Sequence, residues 1–207
     1  MGDFLLYGQI IGNGGFDNGK LIVINDKSLT DDDLNKLVEF IKTNSGNASV
    51  FCENYSYLSD KTIEIESDKA LREAAYMHFT SLDNGKGGTR DGNNQEHGGY
   101  TSNGVFYPET SGSVSSPCSG GASIDITPGY TSYHSHGSGT SYCPSETTPY
   151  VKEKKGFEQL PSQTDIDGAG ENAEYVFAMR DGQVYVYNKK GIMASIPMEY
   201  FVTKKNK

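Results

Sequence analysis

The sequence predicts an α+β protein, a mixed β-sheet flanked by helices with a small αβ appendage at its N-terminus. Three observations carry this. "KTIEIES" (61–67) and "SIDITPGYTSYHSHG" (123–137) alternate apolar and polar residues, the period of half-buried strands, and the Tyr and Val content of "EYVFAMRDGQVYVYNKKGIMASIP" (174–197) suits a strand meander that completes a sheet. "SLTDDDLNKLVEFIKTN" (28–44) and "DKALREAAYMHFTSL" (68–82) have the longer period of amphipathic helices. Gly, Ser, Thr and Asn dominate 84–149, which lowers the hydrophobic content of the 207 residues to 35%. The ordinary patterning on both sides of that region predicts a globular core carrying long functional loops, not a disordered chain.

The elements follow in order. Phe4–Leu6 and Ile10–Ile11 read as short strand pieces, and "LIVIN" from Leu21 as a strand. "GNGG" at Gly12–Gly15 lacks the Lys-Ser/Thr and the following helix of a phosphate loop, so it reads as a turn. Thr30 is the expected N-cap of the first helix, with Asp31, Asp32 and Asp33 in its first turn, where the helix dipole favours anions. Leu34, Leu37, Val38 and Ile41 form its buried stripe. "SVFCENY" and "KTIEIES" are expected strands that complete a small αβ unit over 1–67. The second helix opens at Ser67 or Asp68 and turns Leu71, Ala74, Ala75, His78 and Leu82 inward, with His78 a satisfied core residue. "EHGGYTSNGVFYPET" reads as a hairpin turning at Ser102–Gly104. The chain then reaches His134 on a strand and leaves through glycine. The C-terminal strands form a meander, with a turn at Asp181–Gly182. Residues 68–207 make the main domain, with an inserted loop at 137–161.

Composition narrows the function. Formal net charge is −9, so the chain repels phosphate backbones and nucleic acid is not expected as a partner. No apolar run reaches membrane-spanning length. No signal segment is visible at the start, so cytoplasmic residence, export by a specialised secretion system or origin as a piece of a longer chain are the expected alternatives. The three cysteines, Cys52, Cys118 and Cys143, are odd in number and widely spaced, which argues against a disulfide framework. Each is expected to be a small buried or loop residue, with Cys143 close enough in sequence to His136 to approach a metal there.

His134 and His136 are half of the four histidines. On a strand, residues two apart share a face, so both imidazoles can aim at one point, as two ligands of one ion do. The other polar signals, in chain order, are Glu96 in "EHGGY" and Ser162 with Asp165 in "PSQTD". This order of Glu, then H-x-H, then S-x-x-D resembles the JAMM, or MPN-domain, metalloprotease superfamily, over about 68–197. More narrowly, the chain is similar to the JAB-like domains at the tips of bacterial Rhs-type polymorphic toxins. The softer part of that likeness is "GDFLLYGQIIGNGGFDNGKLIVIN" at the N-terminus.

The resemblance implies an MPN/JAB-like, cytidine-deaminase-like core. It implies a zinc ion held by His134, His136 and Asp165, with a fourth position open. Glu96 is implied as general base and Ser162 as hydrogen-bond donor to the oxyanion. The implied reaction is cleavage of a peptide or isopeptide bond. A protein or peptide is then the substrate, and a toxin tip of this kind has a cognate immunity protein as its partner. The chain departs from the pattern twice: Gly137 follows the second histidine where the family usually has proline, and 137–161 separates it from Ser162. Ser145 lies at the family's usual distance but has Thr148, a poor ligand, where the aspartate belongs. Asp167 is the rival to Asp165. The insertion, with both ends at ligands, is expected to be a lid over the metal or an inert excursion. A non-catalytic MPN-like protein-binding module and a metal-dependent nuclease are the alternative functions.

Overall fold

The computed structural model describes residues 68–202 apart from 126, 128 and 149. Before them it describes 3–6, 9–12, 21–24, 62–65 and scattered positions between 30 and 43. The expected strand at "SVFCENY", the stripe Leu34, Leu37, Val38 and Ile41, Cys52 and most of the "GNGG" turn lie outside these residues.

Strands β1 (Asp3–Leu6), β2 (Gln9–Gly12), β3 (Leu21–Ile24) and β4 (Thr62–Ile65) form a four-stranded sheet in the order β2-β1-β3-β4. β1 and β3 run parallel and the other pairs antiparallel. Thr30 caps a helical segment as expected. Its Oγ1 accepts the Asp33 amide at 3.2 Å, and Asp33 Oδ2 accepts the Thr30 amide at 3.1 Å, the reciprocal pair of a capping box.

Helix α1 (Lys69–Leu82) is capped by Asp68, whose carboxylate accepts the Ala70 amide at 2.8 Å. Leu71, Arg72, Ala75 and Phe79 are its buried residues. Ala74, His78 and Leu82 are only half-buried, so the inner face is rotated from the expected one. Arg72 is why: its aliphatic stem packs inward, its guanidinium sits over the Phe201 ring, and Nε donates to the Phe201 carbonyl at 2.7 Å. A charge is buried there because a carbonyl and a ring face receive it.

A six-stranded mixed sheet follows, in the order β12-β11-β10-β7-β5-β6. Its members are β5 (His97–Ser102), β6 (Val105–Pro108), β7 (Thr131–His136), β10 (Glu174–Ala178), β11 (Gln183–Asn188) and β12 (Gly191–Pro197). β7 and β10 are parallel, and all other neighbours are antiparallel. The β5–β6 hairpin turns through Asn103 and Gly104, at φ 49° and 72°, the left-handed pair of a two-residue turn.

The alternation of these strands divides the sheet into two working faces. One carries Tyr133, Tyr175, Phe177, Val184, Val186 and Ile196, packed with Phe79 of α1 and Phe201 of α3 (Met198–Phe201) into the main core. The other carries His134 and His136. It is covered in part by α2 (Gln163–Gly168), where Ile166 and Ala169 pack on Val176 and Tyr187.

The insertion at 137–161 is a hairpin and not an unstructured loop: β8 (Thr140–Pro144) pairs antiparallel with β9 (Lys152–Gly156). Its root is fixed by buried polar groups. Asp83 accepts the Ser138 amide and hydroxyl, both at 2.6 Å, and Gln159 donates to the Gly137 carbonyl at 3.0 Å while accepting the Arg180 amide at 2.9 Å. Gly137 passes so close to this framework that a Cβ there would lie 2.6 Å from the Asn93 carbonyl oxygen. That contact leaves no space for the proline ring that the resemblance led one to expect.

The expectation for the cysteines is corrected. Cys118 and Cys143 form a disulfide, with Cα atoms 5.3 Å apart. β8 carries Cys143 back against the loop after β6, a tertiary approach that spacing in sequence does not reveal. The Cys143 sulfur is thereby occupied and is not a metal ligand.

Candidate metal centre

β7 is buried along nearly its whole length, and its pleat sends Ser132, His134 and His136 to one face. α2 brings the third group. Ser162 caps this helix: Oγ accepts the Asp165 amide at 3.1 Å, and Asp165 Oδ2 accepts the Ser162 amide at 2.6 Å. The S-x-x-D segment is therefore a capping box whose aspartate also faces the histidines. Asp167 turns outward instead, accepting from Gln163 at 2.8 Å on the exposed side of the helix. Register along α2 thus decides between the rival carboxylates in favour of Asp165.

The geometry is compact. His134 Nε2 and His136 Nε2 lie 3.3 Å apart. Asp165 turns Oδ1 to His134 at 3.4 Å and Oδ2 to His136 at 3.5 Å. Ligands at the corners of a tetrahedron around zinc, with bonds of about 2.0–2.1 Å, are about 3.3–3.4 Å apart. The three side chains thus have the spacing that a small cation between them requires, and they form a group able to hold a metal ion. Both Nδ1 atoms are buried without a hydrogen-bond partner among the described residues. Packing therefore orients these rings, not the carboxylate or carbonyl clamp common behind metal-binding histidines. The Tyr187 ring stands perpendicular to His134, with centroids 6.1 Å apart.

Electrostatics favour a cation. Burial holds His134 below its ordinary pKa, against the pull of Asp165, so the ring is neutral near pH 7, the form that ligates. Burial disfavours the charged form of Asp165, but hydrogen bonds from His134 and His136, the charge of His134 and the hydrogen bond from Ser162 outweigh it. Asp165 is accordingly held well below the usual carboxylate range. Glu96 stands beside the group, Oε1 3.9 Å from His136 Nε2, too far for a direct hydrogen bond and suited to acting through one small molecule. Burial pushes its carboxyl up to about 7; His136 pulls it down, while Asp165 adds to the rise.

Other histidines stay out of the group. His97 pairs in register with Ser135 on the core-facing side, and its ring nitrogens meet the Ser111 hydroxyl at 2.7 Å and the Gly92 carbonyl at 2.8 Å. His78 packs against Phe79 and Phe106. It is no ligand, but it is half-buried at the core edge and not the satisfied core residue expected, since its Nε2 is buried without a hydrogen-bond partner among the described residues. Residues not singled out in the sequence also shape the site. Glu174 Oε2 accepts from Ser132 at 2.6 Å and from Tyr187 at 3.2 Å, a carboxylate held one strand away from His134. Their signal was present, since Glu174 and Tyr187 alternate with core residues on the meander, but only the sheet order places β10 beside β7. A cavity of about 810 Å³ opens beside Asp165.

No family model, curated protein or solved structure matches the chain. Its own residues therefore carry the functional argument.

Proposed function

We propose that the chain is a zinc-dependent hydrolase of the JAMM type that cleaves peptide or isopeptide bonds, with an MPN/JAB-like core. The observation that carries this reading is the pairing of a three-ligand group with a half-buried carboxyl 3.9 Å from one of its histidines. Two imidazoles and one carboxylate suit zinc, and three protein ligands are the mark of a catalytic rather than structural site. Zinc held there supplies Lewis acidity toward a carbonyl and toward water.

The protein's own groups do the rest. His134, His136 and Asp165 bind and orient the ion from two elements, β7 and α2. Glu96 takes the proton from the attacking water and returns it to the leaving nitrogen as the carbon–nitrogen bond breaks. Ser162, whose Oγ accepts from the Asp165 amide, keeps its own hydrogen to donate toward the oxyanion. The partners that fit this reading are a protein or peptide substrate and, for a toxin tip, a cognate immunity protein.

The test is cleavage of a mixed peptide library by the zinc-loaded protein, read by mass spectrometry. Glu96→Gln and metal-stripped samples serve as controls. Products that form with the wild type and in neither control are expected; identical peptide profiles in all three samples sink the hydrolase reading.

A further inference from the structure

We infer that the cavity beside Asp165 is a subsite for a cationic side chain, Lys or Arg, of the peptide substrate. The inference rests on the hydrolase reading for the word substrate, and on separate residues for the charge. Its ground is the run of groups on the metal face of the sheet. In β5, Tyr100 lies opposite Ser132 of β7 and opposite Tyr107 of β6, so it shares the face of Ser132 and His134. Tyr100 stacks on Tyr107 with centroids 5.4 Å apart and meets Tyr130 at a tilt of 34° with centroids 4.8 Å apart. The three rings form a shelf. Its outer members remain 42% exposed at Tyr107 and 47% exposed at Tyr130, so ring faces are open to a ligand.

Tyr130 lines the cavity, which runs from there to Asp165 past Glu174 and Tyr187. Among the described residues, two carboxylates line it and no Lys or Arg does. Glu109, which is not part of the lining, accepts from the amide of the lining residue Thr127 at 2.8 Å, and its Oε2 is buried without a hydrogen-bond partner among the described residues. A divalent metal at the cluster more than offsets Asp165, so the cavity's own negative charge is that of Glu174, which has no cationic partner among the described residues. A carboxylate on the wall of a cleft raises the local concentration of cations. An exposed tyrosine face binds the same groups, Arg above all. One ligand chemistry satisfies both features: a basic side chain, extended along the cavity from a carbonyl at the metal to the tyrosine shelf.

The experiment uses the zinc-loaded Glu96→Gln protein, so that binding is read without turnover. It is titrated with an acetylated tetrapeptide amide carrying one Arg, and with the same peptide carrying neutral citrulline. Tyrosine ring resonances report the contact. The Arg peptide is expected to bind about 5- to 30-fold more tightly, the range of a partly desolvated cation–π contact with added charge, and to shift the resonances of Tyr100, Tyr107 and Tyr130. Tyr130→Ala is expected to abolish the ratio, and Tyr107→Leu to reduce it; either exposed position can be changed without touching the core. Equal binding of the two peptides, or shifts confined to other tyrosines, overturns the subsite. Library cleavage by the wild type separates this from the parent reading: Arg-selective binding without cleavage of any peptide removes the hydrolase and leaves the subsite, while cleavage indifferent to basic residues does the reverse.

Discussion

His134 Nε2 and His136 Nε2 face each other at 3.3 Å across a site that also receives Asp165. If both rings carried their proton on Nδ1, two lone pairs would oppose each other in a buried place. A cation between them turns that repulsion into three attractions. One metal per chain is therefore expected by elemental analysis after dialysis against limiting zinc. His134→Ala, His136→Ala or Asp165→Asn should each lower affinity by roughly 10²-fold or more. Asp167→Asn should leave affinity unchanged, because Asp167 is engaged with Gln163. Metal loss in the Asp167 variant alone would reverse the assignment.

Glu96 lies beside the ligands and not among them. Glu96→Gln should keep full metal content while kcat falls roughly 10²-fold or more. The readouts are metal content and single-substrate kinetics on any peptide found in the library. Loss of metal with activity restored by excess zinc would make Glu96 a ligand instead.

The same carboxyl gives a pH signature in the metal-free protein. Its folded pKa is raised to about 7 from 4.5, so the folded state binds more protons than the unfolded state between these values. Stability from this group therefore falls as pH rises from about 4.5 through 7, by an amount on the order of 3 kcal/mol. His134, with a lowered pKa, acts in the opposite sense and loses stability as pH drops below 6.5. The difference between wild type and Glu96→Gln isolates the first effect. Denaturant melts across this range should show the wild type losing ground to the variant as pH rises; parallel curves would mean that Glu96 is not buried as described.

The hairpin, the strand bearing both histidines, the C-terminal meander and the caps at Thr30 and Asp68 were legible in the sequence, because local patterning and short side-chain bonds decide them. The H-x-H and S-x-x-D pieces were legible as candidates for the same reason. What sequence could not give depends on contacts far apart in the chain. The inner face of α1 turns on Arg72 meeting Phe201, and β8 meets the loop after β6 only in the fold, which is why the disulfide was missed. The insertion reads as a loop because its Gly, Ser and Pro content hides a β-hairpin pinned by Asp83 and Gln159.

The disulfide closes a sequence separation of 25, for which chain entropy gives about 3.5 kcal/mol. Cys118→Ser with Cys143→Ser should lower stability by about 2–4 kcal/mol without changing metal content. Under native conditions, alkylation followed by mass measurement should leave Cys118 and Cys143 unlabelled until a reductant is added. Labelling of Cys143 without reductant, or loss of metal in the double variant, would show that its thiol is free or serves the centre.

Ser162 has one role in the fold and a second in the proposed reaction, and substitution can separate them. As N-cap it holds the first turn of α2, and so the carboxylate of Asp165, in place; as the proposed hydroxyl donor it would act on the reacting carbonyl. Alanine removes both functions, with a capping cost of about 0.5–2 kcal/mol. Glycine costs the cap only a few tenths of a kcal/mol but has no hydroxyl, and threonine keeps cap and donor. If the hydroxyl stabilises the oxyanion, Ser162→Gly should keep its metal and lose roughly 10²–10³-fold in kcat, with KM little changed, and Ser162→Thr should recover most of that loss. If Ser162 is a cap alone, Ser162→Gly should retain nearly full activity, while Ser162→Ala should weaken metal binding by about 2- to 30-fold, the capping energy expressed as affinity. Kinetics and zinc titration of the three variants decide between these patterns, and a wild-type rate in Ser162→Gly removes Ser162 from the reaction.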